Sequence, residues 1–483
     1  MLFSSIEFLY YFLPVVLLGY FLLPKSLRNG WLLLVSLVFY AWGEPKLVWV
    51  MLTSIVLNWL WGIGIGRAKK QGWKRFFLVL SCLTCLGLLG WFKYADFAFE
   101  NLNALLGTHI PLPKLILPIG ISFYSFQILS YTIDVYRGSA EVQYNPVDFG
   151  CYVVLFPQLI AGPIVRYVDV QRELRSRHTT PEDFRLGLRR FLFGLGKKIL
   201  IANQLGEFIE LFRGSDEKSL LFYWLYALGF CLHIYFDFSG YSDMAIGLGR
   251  IFGFHFLENF NYPFLSASVQ EFWRRWHMTL GGWFRDYVYI PLGGNRCSKI
   301  RRYFNLMVTF LVSGLWHGAS MHYLVWGGIH GAIQIVETEG KALVQKLGWK
   351  VKKDVFSYKL LQILSTYCIT TIAWIFFRAD NISIALTYIL RMFTEFDLGV
   401  LFNGSIYSLG LVKNDMTALC FGVILLFLTD YIRDAKGIRI EKYLNTQNLW
   451  FKWAVLLVFI LCIVIFGEYG INYSAAEFIY FQF

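Results

Sequence analysis

The chain has 483 residues, 57% of them hydrophobic and only 16% charged, with a formal net charge of +12. Soluble domains average about 45–50% apolar and about 25% charged residues, so the composition argues against a soluble enzyme. It also argues against nucleic-acid binding, because Lys and Arg collect in the cytoplasmic loops of membrane proteins. Apolar runs of about 18 or more residues recur along the chain, the length at which a helix spans a bilayer. They lack the alternation of a membrane β-barrel strand.

Taken in order, the candidate spans are 7–24, 30–43, 46–64, 76–95, 115–134, 219–236, 304–333, 358–377, 417–432 and 451–467. No basic n-region or small-residue cleavage site frames the first, which therefore reads as a retained helix and not a signal peptide. Four further apolar stretches, 148–165, 190–205, 242–256 and 282–292, are too short or too interrupted to be simple crossings. Lys25 and Arg28, then Arg67, Lys69, Lys70, Lys74 and Arg75, mark loops that belong in the cytoplasm and place the N-terminus outside. Parity and the Arg-rich block 166–190 put both ends of 148–165 on the same side. With Pro157, Gly162 and Pro163 inside it, this stretch predicts a re-entrant or broken helix, tolerated in a bilayer only where protein or water covers it. The basic loop with Arg433, Lys436, Arg439 and Lys442 precedes the last span, so the C-terminus is expected outside as well.

The expected organisation is one membrane domain: N-terminal helices over 1–134, a core over 148–335, C-terminal helices over 358–467 and an extracytoplasmic tail over 468–483. No internal repeat, inverted or otherwise, is visible. The eight cysteines are scattered and mostly intramembrane; Cys82 and Cys85 form a C-x-x-C without a second pair and read as small packing residues.

Three stretches carry the chemistry. In "LVSGLWHGASMHYLVWGGIHG", 311–331, His317 lies about 15 residues past Arg301 and Arg302, or about 22 Å along a helix, deep in the bilayer. An ionisable residue there is costly and is a functional hypothesis by default; the bland alternative is a histidine hydrogen-bonded across helices. Gly314 and Gly318 share a face where another backbone can approach. His322 sits near the outer end, and His330 lies about 220° round the helix from His317, so both are weaker candidates.

In "SASVQEFWRRWHMTLGGWFRDYVYIPLGG", 266–294, His277 follows an aromatic stripe of Phe272, Trp273 and Trp276 interleaved with Arg274 and Arg275. An interfacial amphipathic helix would explain the Trp and Arg residues well and His277 less well. In "YFDFSGYSDMAIG", 235–247, Asp237 could orient a histidine or line a polar entrance, and Asp243 reads as the cap of a helix restarting near Ser242. Two histidines without HExxH or clustered carboxylates do not suggest a metal.

Together with "FPQLIAGPIVRY", these stretches closely resemble the membrane-bound O-acyltransferase (MBOAT) family. The similarity is to its bacterial alginate O-acetyltransferase branch, to which peptidoglycan O-acetyltransferases and teichoic-acid D-alanyltransferases are related. The resemblance implies an all-α polytopic membrane protein of the MBOAT fold. It would have about 10–12 membrane helices, with re-entrant and short interfacial helices around a central funnel. The family's histidine falls on His317 and its second site, a His or Asn, on His277; Asp237, Trp316 and Arg274 are candidates to line or support the funnel.

The resemblance further implies an acyl thioester donor on the cytoplasmic side, acetyl-CoA for this branch, with no bound cofactor. It implies O-acetylation of a cell-envelope or exopolysaccharide such as alginate or peptidoglycan, from the bacterial cytoplasmic (inner) membrane. An SGNH-type acetyltransferase outside the membrane is the implied partner. His317 would serve as general base, worth about 10²–10⁴-fold, while His277 either polarises the thioester carbonyl or holds the acceptor. D-alanyl transfer to teichoic acid, and a transporter with a histidine relay, are the competing readings.

The chain ends "EFIYFQF". Four apolar side chains beside an apolar cavity should fold back, since burying each is worth about 1.5–3 kcal/mol. The hydroxyl of Tyr480 could then relay the acyl group as a tyrosyl ester. An aromatic anchor at the outer interface explains the Phe residues equally well.

Overall fold

The computed structural model describes residues 1–160, 162–214, 219–348, 355–396, 402, 404, 413–437 and 446–467. Tyr480 and the rest of the tail, 468–483, lie outside the described residues. Every regular element among the described residues is helical. Among the described residues five helices are long and apolar enough to cross a membrane: Val48–Arg67, Gln71–Leu106, Leu220–Ile251, Phe356–Arg378 and Leu449–Phe466. Shorter apolar helices such as Glu7–Leu22 accompany them. Spatial proximity divides the chain into two compact units.

The first unit comprises Met1–Phe191, Tyr241–Glu258 and Gly318–Ser320. Helices Val48–Arg67, Gln71–Leu89 and Ile121–Arg137 meet there around a small polar centre. The Ser81 hydroxyl lies 2.6 Å from Asn58 Oδ1 and 2.8 Å from Thr132 Oγ1. Without a hydrophobic force between helices in lipid, such contacts and small residues hold a bundle together. Gly62 supplies the small residue, for a Cβ there would come within 2.7 Å of the Tyr131 ring. The expected span 115–134 is shortened, because Pro118 and Gly120 delay the helix to Ile121. Gly120 has φ +72°, and a Cβ on it would meet the Leu159 carbonyl oxygen at 2.8 Å.

The interrupted stretch 148–165 is a broken helix, as its Pro and Gly residues suggest. Pro146–Val154 ends at Leu155, and Phe156–Leu159 restarts for a single turn. The N–H freed by the break is satisfied by another helix: the Phe156 N–H donates to Ser36 Oγ, on Arg28–Gly43, at 3.1 Å. The Tyr152 hydroxyl reaches the carbonyls of Gln127 and Val165, each at 3.1 Å.

Asp243 is not a helix cap. Helix Leu220–Ile251 runs unbroken past Ser242, and the Asp243 carboxylate accepts from Arg190 at 2.8 and 3.0 Å. A half-buried carboxylate with a guanidinium at hand gains more from charge-assisted hydrogen bonds than from a backbone N–H.

The second unit comprises Leu192–Gly240, Asn259–His317 and Met321–Phe483. Its framework is a tight antiparallel pair of helices, Lys299–His317 and Met321–Lys346. The expected single span 304–333 is therefore two helices, broken at 318–320 immediately after His317. Two glycines allow the helices to close. A Cβ on Gly314 would stand 2.2 Å from the Tyr323 carbonyl oxygen, and one on Gly327 would stand 2.3 Å from that of Phe310. The close approach expected at Gly314 is thus real, but Gly318 lies beyond the helix end and does not share that face; the partner glycine is Gly327.

Candidate active site

Segment 259–284 presents His277. Two seven-residue helices, Val269–Arg275 and Met278–Phe284, meet at a sharp turn through Trp276 and His277. The first helix has its leading N–H groups satisfied from two directions. Glu337 accepts from Val269 and Gln270 at 2.7 and 3.1 Å, and Ser268 Oγ accepts from Glu271 at 3.1 Å. Four orphan N–H groups open every helix, and a carboxylate there is favoured by the helix dipole as well. Glu337 thereby ties this short helix to Met321–Lys346.

His277 itself has φ +42° and ψ +53°. Left-handed backbone costs a non-glycine residue about 1–2 kcal/mol, so the surroundings must impose it. The imposing contacts are backbone bonds to a neighbouring segment: Met278 N–H to the Asn259 carbonyl at 2.9 Å, and Asn261 N–H to that of Arg275 at 2.9 Å. The imidazole is 2% exposed. Its Nδ1 lies 2.9 Å from Asn259 Oδ1, and the Phe238 ring stands edge-on at 4.7 Å.

His317 is the last residue of its helix and is 4% exposed. Three aromatic rings enclose it: Trp316 at 4.9 Å, Trp326 at 5.2 Å and Phe377 at 5.0 Å between centroids, all steeply inclined to the imidazole. Trp316 also lies 6.2 Å from the His277 ring. One indole therefore touches both candidate imidazoles. Residues forty positions apart in sequence thus share one indole as a neighbour.

The other candidates divide. Asp237 is fully buried and makes an ion pair with Lys198 at 2.7 Å, so its carboxylate is committed to a charge partner within the protein. His322 is buried with Nδ1 2.9 Å from the Phe376 carbonyl, the bond expected of a structural histidine. His330 is buried between Trp273, at 4.9 Å, and Trp326, at 5.1 Å, one ring removed from His317. Arg274 is exposed, and the structure does not bring it into the cluster. Phe272 and Trp276 are core residues, stacked at 5.4 Å, and not interfacial anchors.

Sequence reasoning missed Asn259, Lys198 and Glu337. Lys198 sits in an apolar run, where a charge could have been flagged by cost alone. Asn259 and Glu337 carry no local signal, since each acts on a backbone distant in sequence.

The site can hold two imidazoles in a dry aromatic enclosure, next to a helix terminus. That constellation suits proton movement at a hydroxyl, the usual need when a weak oxygen nucleophile attacks an acyl group. A family model described as MBOAT, membrane-bound O-acyltransferase family, matches residues 37–378, a range that includes every residue of this cluster.

The chain belongs to the membrane-bound O-acyltransferase family.

It is 41% identical over 400 residues to the probable alginate O-acetylase of Pseudomonas aeruginosa, covering 82% of this chain and 75% of that one. To the probable alginate O-acetylase of Pseudomonas putida it is 36% identical over 503 residues, with both chains covered in full. To the peptidoglycan O-acetyltransferase of Helicobacter pylori it is 35% identical over 425 residues, covering 81% and 80%. This MBOAT protein is accordingly an all-α membrane O-acyltransferase that takes its acyl group from a donor.

Proposed function

We propose that this MBOAT protein transfers an acetyl group from acetyl-CoA on the cytoplasmic side of a bacterial inner membrane for O-acetylation of a cell-envelope polysaccharide such as alginate or peptidoglycan. The observation that carries the reading is the pairing of His277 and His317 against one indole, Trp316, in a buried cluster. The names of the relatives, alginate O-acetylase and peptidoglycan O-acetyltransferase, support the acetyl group and the class of polymer.

In this reading His317 takes the proton of the acceptor hydroxyl as its oxygen attacks the thioester carbonyl. A C–O bond forms, the C–S bond breaks, and the leaving thiolate is protonated. The funnel of the family would bring donor and acceptor to the cluster from opposite faces, with both chain termini outside. An SGNH-type acetyltransferase outside the membrane would then pass the group to the polymer.

The test is direct. Purified protein given acetyl-labelled acetyl-CoA is expected to release CoA and to move label to a hydroxyl acceptor. His317→Ala should lose this by about 10²–10⁴-fold while eluting and melting like the parent. Neither CoA release nor label transfer from the parent, or full activity in a folded His317→Ala, would defeat the proposal.

A further inference from the structure

We infer that Asn259 is a positioning residue that holds His277 in the tautomer with its proton on Nδ1, so that Nε2 presents a lone pair and accepts a hydrogen bond from a second hydroxyl of the acyl acceptor, the attacking hydroxyl giving its proton to His317. The inference rests on the proposed acyl transfer for its chemistry, and on geometry alone for the tautomer.

The geometry starts from one oxygen. Asn259 Oδ1 lies 2.9 Å from His277 Nδ1 and 2.8 Å from Thr279 Oγ1, whose hydroxyl donates to it. A carboxamide oxygen only accepts, so the hydrogen between Asn259 and His277 belongs to the imidazole. In a neutral ring the other nitrogen is then bare. Asn259 is 1% exposed and Thr279 8%, so water does not compete for these bonds and their direction is strongly preferred.

The backbone reinforces the side chain. The carbonyl of the same Asn259 accepts the Met278 N–H at 2.9 Å, one residue past His277. Asn259 thus grips the turn from both sides of the imidazole and supports the left-handed backbone at His277, φ +42°. Residues held in such backbone persist only where the surroundings over-determine them, and they concentrate at functional sites.

The tautomer separates two roles that the sequence leaves open. Polarising a thioester carbonyl requires a donor, and a neutral His277 with its proton on Nδ1 has none to offer from Nε2. Accepting from a hydroxyl requires a lone pair, which Nε2 has. His277 therefore serves the acceptor side of the reaction and not the donor's carbonyl.

The experiment reads the tautomer directly. Full-length protein labelled with 15N-histidine is studied by magic-angle-spinning NMR in bilayers, and the His277 signals are identified by their loss in His277→Gln. A protonated Nδ1 and a bare Nε2 are expected; a dominant Nε2–H form would overturn the inference. Two variants add kinetics, each assayed at its own optimal pH. Asn259→Asp, whose carboxylate also only accepts, should keep the Nδ1–H form and retain transfer within about tenfold. Asn259→Leu should lose the preference and lower kcat by about tenfold or more with the KM for acetyl-CoA unchanged, a wrong tautomer being costly to a catalytic imidazole. Equal loss in both variants, or a rise in the acetyl-CoA KM alone, would count against the assignment. If wild-type protein shows the expected tautomer but no acetyl transfer, the acyl-transfer proposal fails and the tautomer assignment stands.

Discussion

Gly327 and Gly328 are adjacent in one helix, yet alanine is expected to act on them with opposite sign. At Gly328 a new Cβ would meet only Leu311 Cδ2 at 3.6 Å, an ordinary contact. There the helix gains the usual advantage of Ala over Gly, about 0.5–1 kcal/mol. At Gly327 the new Cβ would stand 2.3 Å from the Phe310 carbonyl oxygen and 3.0 Å from its carbon. These are backbone atoms that cannot rotate away, so the hairpin must open by about 1 Å, at an overpacking cost of about 1–3 kcal/mol. The contact is so short that the upper half of that range applies, and it outweighs the helical gain. The two variants should then differ by about 2–3 kcal/mol, measured by thermal or denaturant unfolding in detergent. Transfer should separate further. His317 ends the helix that Gly327 packs against, and a displacement of about 1 Å at a reacting group can cost about 10²-fold in rate. If Gly327→Ala proved as stable and active as Gly328→Ala, the close helix contact would not be what positions His317.

Three further outcomes are expected. His277→Ala should impair acyl transfer severely and His277→Asn less so, because Asn retains an acceptor oxygen; equal and complete loss in label-transfer assays would mean that a titrating imidazole is required. Asp237→Asn should destabilise the protein by about 3–5 kcal/mol by leaving Lys198 charged and unpaired in the interior, and the double variant Lys198→Met/Asp237→Leu should recover most of that. Unchanged melting of Asp237→Asn would remove the Lys198–Asp237 pair from the forces that hold this unit. For the tail, Tyr480→Phe should stop O-acetylation of the polymer in cells while the protein stays stable if the hydroxyl relays the acyl group; normal acetylation would make the tail an anchor.

The class of the molecule was legible in the residue pattern alone. Long apolar runs with charges confined between them leave a chain no stable state but helices in a membrane, and the "GLWHG" and "EFWRRWH" stretches named His317 and His277. Pro157, Gly162 and Pro163 also marked 148–165 as interrupted, and the structure adds why 162 is Gly: a Cβ there would lie 2.5 Å from Gln158 Cα. Tertiary structure decided the rest. Hydropathy is a one-dimensional average and cannot distinguish one span from two antiparallel helices, so it ran 304–333 straight through the turn that sets His317 at a helix end. Local pattern made Asp243 a cap, because the chain does not announce that Arg190 will lie 2.8 Å away. The tautomer of His277 depends on Asn259, eighteen residues earlier, which no periodicity marks. Local propensity acts between neighbours in the chain, whereas the direction of a buried hydrogen bond is set by whichever group the fold brings opposite, and only the packed structure contains that information.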